Sequence, residues 1–390
     1  MEDSVKHHTC WSTIEETPVN VEKLLLLCHN HQQLKKESYI LDCLTPAQID
    51  AKSRCVNCNA RVKRRPKSSN PLNHVPLNAT HRNGQDLGKN DAPGSKDIQK
   101  LGTPCSESSS TAPGSKSYAT PPSPKCRYHT GKVRNKIFSC CRKHVSQPGC
   151  VSEQEHTPPP FNDPTVRQYW QYHPTPDYSD EGQLIFQPRR QSGKKAKQRN
   201  QQKRQYDSAP ESPARTPFNA IALDCEMGVS ITGESELIRI SAVDFFTGSV
   251  LLDKLVQPSV PMMHYNTRYS GVTWTDMWDA VRNGTCIYGR DMAREMLWKH
   301  IRPETIVVVH GGRNDFEALR WIHTRVIDSF ILESYTGIKT EGGRSLQNLC
   351  LLKLGIAVQQ KDVRKGHDSL EDAMACRELV IDWMNLLPDT

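Results

Sequence analysis

The spacing of apolar positions changes at residue 217. Beyond it, short aliphatic runs alternate with stretches of helical periodicity. Ile221–Glu226 reads as a short apolar strand. Leu237–Asp244 is β-rich, FFTGS supplies a turn and Val250–Val256 reads as another strand, so 237–256 is predicted to form an antiparallel hairpin. Arg290–His300 has helical spacing, and Thr305–Val309 is a β-branched run of the buried-strand kind. Asp315–Ile322 then predicts a helix, Val326–Asp328 a short strand, and Ser345–Leu354 and Ser369–Trp383 two more helices. This order predicts an α/β domain over 217–386, a mixed sheet flanked by helices.

Before residue 217 the pattern is sparse. An amphipathic stretch surrounds Val21–Leu27. Residues 66–124 are rich in Pro, Ser, Asn, Gly and Lys and are predicted to be a disordered insertion. They interrupt a Cys/His-rich region spanning 20–156. Residues 157–216 hold TPPPF, YHPTPDY and the basic run GKKAKQRNQQKR, and read as a basic, Pro-rich linker. The longest apolar runs, Leu24–Leu27 and Ile306–Val309, are far short of the ~20 residues a membrane-spanning helix needs. The opening MEDSVKHHTC does not read as a secretory signal.

Charge separates the same two regions. Residues 217–390 carry 18 Lys/Arg against 23 Asp/Glu, whereas residues 1–216 carry 33 against 20. A basic half joined to a mildly acidic one fits a nucleic-acid tether on a body with its own chemistry. The runs Arg61–Arg65 and Lys194–Arg204 suggest the nucleus, with the cytoplasm as the other possibility.

The acidic half holds the candidate chemistry. In Leu223-Asp224-Cys225-Glu226 the two carboxylates stand two apart on a strand, which puts both on one face with Cys225 on the other. Such a pair repels itself unless a cation sits between, and hard oxygen donors suit Mg²⁺ or Mn²⁺. Asp315 opens a helix after the VVVHGG turn. In GHDSLEDA, Asp368 and Glu371 have capping-box spacing, which leaves His367 in the loop and Asp372 one turn inside the helix. A histidine beside a carboxylate–metal site can serve as general base toward water.

The order D-x-E, then D, then H-x4-D resembles the DEDDh 3′–5′ exonucleases, which have a ribonuclease-H-like fold. Within that family it is most similar to the eukaryotic RNA exonuclease branch, the fungal members above all. ALDCEMG, SELIRISAVDFFTG, YNTRYSGVT, HGGRNDFEAL, VIDS and GHDSLEDA carry the likeness over roughly 217–386. It implies that Asp224, Glu226, Asp315 and Asp372 hold two Mg²⁺ or Mn²⁺ ions and that His367 is the general base. It further implies that single-stranded RNA 3′ ends are hydrolysed to 5′ nucleoside monophosphates, in RNA processing or turnover, and that the SGVT loop (270–273) lies near the substrate's 3′ end. Gly228, and GGRND after His310, depart from the common pattern without touching a ligand. His310 reads as structural.

Ten of the 14 cysteines lie in the first 150 residues. Without a secretory signal, Cys and His at short spacing point to zinc rather than disulfides. The candidates are Cys55, Cys58, Cys126, His129, Cys140, Cys141, Cys150 and His156, enough for one or two structural Zn²⁺. The run C-x2-H-x-G…SCC…GC…H resembles part of the CHORD-type zinc modules. It suggests an RNA contact or a protein-docking module. Cys28, His29, His31 and Cys43 form a looser group that reads as structural, and the remaining thiols read as ordinary. Two other functions stay open at this level: a DNA exonuclease of the same fold, and a catalytically inactive adaptor that binds nucleic acid or protein.

Overall fold

The computed structural model describes residues 11–62, 124–177, 217–336, 343–359 and 366–388. The 66–124 insertion, apart from residue 124, and the basic run at 193–204 lie outside the described residues. The chain divides into two units: one contains residues up to Val62 and from Thr157 onward, the other Lys63–His156.

The first unit is organised on a seven-stranded mixed sheet. Its strands are β1 (Ala220–Ser230), β2 (Ser235–Asp244), β3 (Val250–Gln257), β4 (Met262–His264), β5 (Ile287–Tyr288), β6 (Ile306–Val309) and β7 (Val326–Asp328). The order is β5-β3-β2-β1-β6-β7, with β4 pairing on the far end of β1. β1, β2 and β3 are antiparallel neighbours, so the predicted hairpin is present. β6 and β7 run parallel to β1. On that flank, β6 pairs with Ala220–Ala222 and β4 with Val229–Ser230. The stretch of β1 between them therefore has one edge free of ladder partners, and Asp224 and Glu226 lie in it. A register shift at Glu226/Met227 bends the strand at that point.

Four helices matter for the site: α1 (Trp274–Arg282), α2 (Gly289–Leu297), α3 (Arg313–Leu319) and α4 (Ser369–Asn385). Alternation along β1 and β6 gives the sheet two apolar faces. Ile221, Leu223, Cys225, Val307 and Val309 pack with Phe316 of α3 and Leu297 of α2. Ala220, Ala222, Ile306 and Val308 pack with Ala375, Leu379 and Val380 of α4. The predicted helix at 315–322 stops at Leu319. Arg320 adopts φ 49°, and Trp321–Ile322 become a short strand. The helix α1 and strands β4 and β5 were not predicted. Among the described residues, no helix is long and apolar enough to cross a membrane.

The N-terminal segment and the start of the predicted linker also belong to this unit, unlike the division read from sequence. Leu34, Tyr39 and Leu41 join one face's core, and Leu24 and Leu27 join the other. Pro164–Tyr169 form a helical turn and His173–Pro174 pair in parallel with Trp321–Ile322. The tie is polar as well as apolar. Trp321 Nε1 donates to Thr175 Oγ1 at 2.8 Å, and the Thr175 hydroxyl meets His323 Nδ1 at 2.7 Å. His323 Nε2 meets the Thr305 carbonyl at 2.7 Å. These residues look polar and linker-like in sequence because their partners lie far along the chain, where no local periodicity can reveal them.

The second unit is a set of tight turns. Cys126–Tyr128 pairs antiparallel with Val151–Glu153, and Val133–Arg134 with Ile137–Phe138. Asn135 (φ 49°) and Lys136 (φ 62°) make the two-residue turn between the latter strands. Most side chains from 129 to 156 are exposed.

Candidate functional site

Asp224 and Glu226 share the face of β1 that packs against α4, and Asp372 stands on the first turn of α4. One carboxylate oxygen from each of the three lies within 4.8 Å of the other two. Asp368 caps α4 by accepting from Leu370 N at 3.1 Å, and its carboxylate also pairs with Arg239 at 2.9 Å. Glu371 does not complete the predicted box. Its carboxylate accepts from Gln359 N at 3.0 Å instead.

Asp315 lies in the first turn of α3, buried, and it is outside that group of three at the same distance limit. The turn that delivers it needs its glycines. Gly311 has φ 64°, and a side chain on Gly312 would meet Val309 Cβ at 2.5 Å. Asp328 holds the turn from behind, with Oδ1 accepting from Gly311 N at 2.7 Å. Its Oδ2 accepts from the Tyr39 hydroxyl at 2.6 Å, so the N-terminal segment buttresses the site. His310 bridges Ser329 Oγ (2.9 Å) and the Arg344 carbonyl (3.1 Å), a structural role as its sequence context indicated.

The carboxyls destabilise one another's charge. Burial, then the neighbouring Asp315, Asp372 and Glu226, pushes Asp224 well above the usual carboxylate range. Burial and Asp372 push Glu226 up to about 8. Asp315 is likewise raised, by burial first and Asp328 next. Arg239 pulls Asp224 and Glu226 the other way. His367, about half exposed, places Nδ1 3.4 Å from Asp372 Oδ2, and that contact raises its basicity. The His367 backbone N–H donates to the Tyr269 carbonyl at 2.5 Å, which docks it on the loop containing Ser270–Thr273. The donor set is all oxygen, crowded and half-buried or buried, and it fits a hard divalent cation. Gln359 Nε2 donates to both Asp372 oxygens at 2.9 Å and so competes with a cation for the same lone pairs. Gln359, Arg239, Asp328 and Tyr39 were not singled out from sequence. Asp328, inside the VIDS motif, and Arg239, inside SELIRISAVDFFTG, carry a local signal; Gln359 and Tyr39 do not.

The zinc candidates divide between the units. His129, Cys140, Cys141 and Cys150 belong to the second unit and gather their ligand atoms within 4.8 Å of one another. His129 Nδ1 is 3.4 Å from Cys141 Sγ and 3.7 Å from Cys140 Sγ, and Cys140 Sγ is 3.6 Å from Cys150 Sγ. Tetrahedral Zn²⁺ with bonds of about 2.0–2.3 Å has ligand–ligand edges of roughly this length. The other ring nitrogen of His129 meets the Gln147 carbonyl at 3.2 Å, which fixes the ring as metal-bound imidazoles require. Cys126 and His156 belong to the same unit. Cys55 and Cys58 belong to the first unit, where Cys55 Sγ accepts from Thr157 N at 3.3 Å. In the looser group, His29 is buried with Nε2 3.1 Å from the Asp328 carbonyl, a structural role.

No protein-family model matches the chain. It is 35% identical over 162 residues to RNA exonuclease 3 of Saccharomyces cerevisiae, covering 42% of this chain and 37% of that protein. It is 28% identical over 288 residues to RNA exonuclease 3 of Emericella nidulans, covering 69% and 39%. Small RNA degrading nuclease 3 of Arabidopsis thaliana is 36% identical over 162 residues, covering 41% and 19%. The chain thus spans between about a fifth and two fifths of the length of these relatives. The Pan2 catalytic unit of Neurospora crassa superposes with a TM-score of 0.36 at 24% identity, over 45% of this chain and 29% of that one, a level from which nothing further follows. The likeness to RNA exonucleases read from the motifs is therefore shared with proteins bearing that name.

Proposed function

We propose that this protein is a metal-dependent 3′–5′ exoribonuclease that releases 5′ nucleoside monophosphates in RNA processing or turnover. The observation that carries the reading is the convergence of Asp224, Glu226 and Asp372, with His367 against Asp372. Asp224, Glu226, Asp315 and Asp372 would hold two Mg²⁺ or Mn²⁺ ions. These ions, when bound, lower the pKa of the attacking water and offset charge on the scissile phosphate and leaving 3′ oxygen. The protein's own share is positional. Asp372 holds the His367 ring by Nδ1, which leaves Nε2 to take a proton from water. The 266–273 loop fixes the backbone of that histidine. Crowding of the carboxyls by the fold keeps them ready for cations, since a cation relieves their mutual repulsion.

One Zn²⁺ on His129, Cys140, Cys141 and Cys150 would give the second unit its structure. Cys55, Cys58, Cys126 and His156 keep their candidacy from residue type and spacing. The basic runs favour residence in the nucleus. The test is degradation of 5′-labelled single-stranded RNA and matched DNA with Mg²⁺, Mn²⁺ or EDTA. Asp224→Ala is expected to reduce metal-dependent shortening from the 3′ end by at least ~100-fold, because several kcal/mol of transition-state stabilisation is lost. Shortening that survives in Asp224→Ala would discard this site. Equal or faster shortening of DNA would move the assignment to a DNA exonuclease.

A further inference from the structure

The helix α1 presents an unusual face. Its N-terminus is fixed by a capping box between Thr273 and Asp276, and its inner side buries Met277 and Ala280. Trp274 and Trp278, four residues apart and so on one face, are 54% and 68% exposed. Large apolar side chains grouped at the surface commonly mark a binding site. Trp274 rests on the buried ring of Tyr265, centroid to centroid 4.2 Å, so it is held rather than loose. Between these rings lies a hollow of about 340 Å³ lined by Gln257, Tyr265, Trp274, Met277, Trp278 and Val281.

Two further features choose the occupant. First, guanidinium groups flank the exposed rings. Arg282 lies 5.9 Å from the Trp278 ring, and Arg268 lies 5.8 Å from the ring of Tyr269, itself 62% exposed. Second, the platform is continuous with the proposed active site. Tyr269 accepts the His367 backbone N–H, and Trp274 follows five residues later. A chain of five residues spans at most ~18 Å, the reach of a few nucleotides. Glycines make this junction close. A side chain on Gly271 would meet the His367 carbonyl at 3.1 Å, and one on Gly366 would meet Gly271 N at 2.1 Å.

Resting on the exonuclease reading, we propose that Trp274 and Trp278 form a stacking platform for bases of the single strand on the 5′ side of the nucleotide being removed. Arg268 and Arg282 would lie beside its phosphates. Asp276 and Asp279 stand on the same helix, and Asp279 pairs with Arg282 at 3.0 Å. Local charge is thus nearly balanced, and the grip comes from stacking, which accepts any base. Binding at this face is expected to be tolerant of sequence and only weakly dependent on salt.

The test compares the full chain with Trp274→Ala/Trp278→Ala, and with Phe161→Ala as a control for loss of another exposed aromatic. On a single-stranded RNA long enough to reach α1, the double variant should raise KM about fivefold or more, with kcat changing less than twofold. On a dinucleotide the two proteins should differ less. Tryptophan fluorescence supplies a readout independent of cleavage: poly(U) should quench Asp315→Asn and should quench Asp315→Asn/Trp274→Ala/Trp278→Ala markedly less. An unchanged KM on long RNA in an active enzyme overturns the platform. So does a variant that alters self-association in sedimentation while RNA binding holds, since the face would then be a protein interface. If the wild type cleaves neither RNA nor DNA, the exonuclease reading fails. Loss of quenching in the Trp variant would still support the platform, and undiminished quenching would still reject it.

Discussion

Among the described residues, two clusters able to ligate a metal stand in opposite relations to their surroundings. Asp224, Glu226 and Asp372 sit between a sheet and a helix that are held by two apolar cores. Those cores are built from apolar side-chain packing, and they force together carboxylates whose charges oppose assembly. His129, Cys140, Cys141 and Cys150 sit among tight turns with most side chains exposed. A segment of that kind has little burial to offset chain entropy, so the zinc proposed for these four residues would itself serve as the core. The lesson is that a large core can support an unfavourable site, whereas a small one needs its site to be favourable.

The sharpest way to break this contrast is to remove the zinc proposed for that second cluster. Substitution of Cys141→Ser, or a thiol-competing zinc chelator, is expected to open 124–156 to limited proteolysis completely. Magnesium-dependent cleavage of RNA should meanwhile fall by no more than a few-fold. Proteolysis mapped by mass spectrometry and metal analysis would read both halves. If 124–156 stays protected after the ion is gone, the turns are self-supporting and the contrast fails.

A medium effect is expected from the buried His323. Burial lowers its pKa from the usual 6.5 to about 4. The unfolded chain therefore takes a proton near pH 6.5 that the folded chain refuses until about pH 4. Stability contributed by neutral His323 is fully present above pH 6.5 and is lost as pH falls through that window. The loss is up to about 3 kcal/mol for a single group. Urea unfolding at several pH values, under saturating Mg²⁺ to hold the acidic site constant, would measure it. His323→Gln should flatten the difference, and parallel slopes in the two proteins would refute the assignment. The acidic site itself has the reverse sign. The pKa of Glu226 is raised to about 8, so, with no cation bound, its strain on the fold is relieved as pH falls through that value.

The smallest effect concerns Gln359. Because its amide donates to both oxygens of Asp372, Gln359→Ala should lower the Mg²⁺ concentration for half-maximal cleavage by about two- to threefold, a typical worth for one such hydrogen bond. A metal titration of the two proteins would decide it. A higher requirement in the variant would mean that the amide orients Asp372 for the ion rather than competing with it.

The acidic site was largely legible in sequence because its logic is local. Alternation on β1 places Asp224 with Glu226, and the HGG turn delivers Asp315. The packing around it was not legible. Tyr39 reaches Asp328 across 289 positions, and Thr175 reaches His323 across 148. A residue so placed differs in no local pattern from a linker residue. The missed helix α1 did carry a signal. Thr273-Trp274-Thr275-Asp276 has capping-box spacing, and Trp274, Met277, Trp278 and Val281 follow helical spacing. That spacing does not mark a buried face, because Trp274 and Trp278 serve the surface rather than the core.

The path of the chain through its two units has a consequence for how the molecule tolerates change. The first unit leaves off at Val62 and resumes at Thr157. Its two ends are stitched together there, since Val56 N–H donates to the Thr157 carbonyl at 2.9 Å. A change of length between those points alters only a connection whose two ends the first unit already holds. The entropy of closing such a loop grows only with the logarithm of its length, about 0.6 kcal/mol for each doubling. The insertion predicted at 66–124 can therefore lengthen, shorten or acquire new recognition sequences at little thermodynamic cost to the first unit. In evolutionary terms it is a cloning site, open to trial while the first unit stays intact.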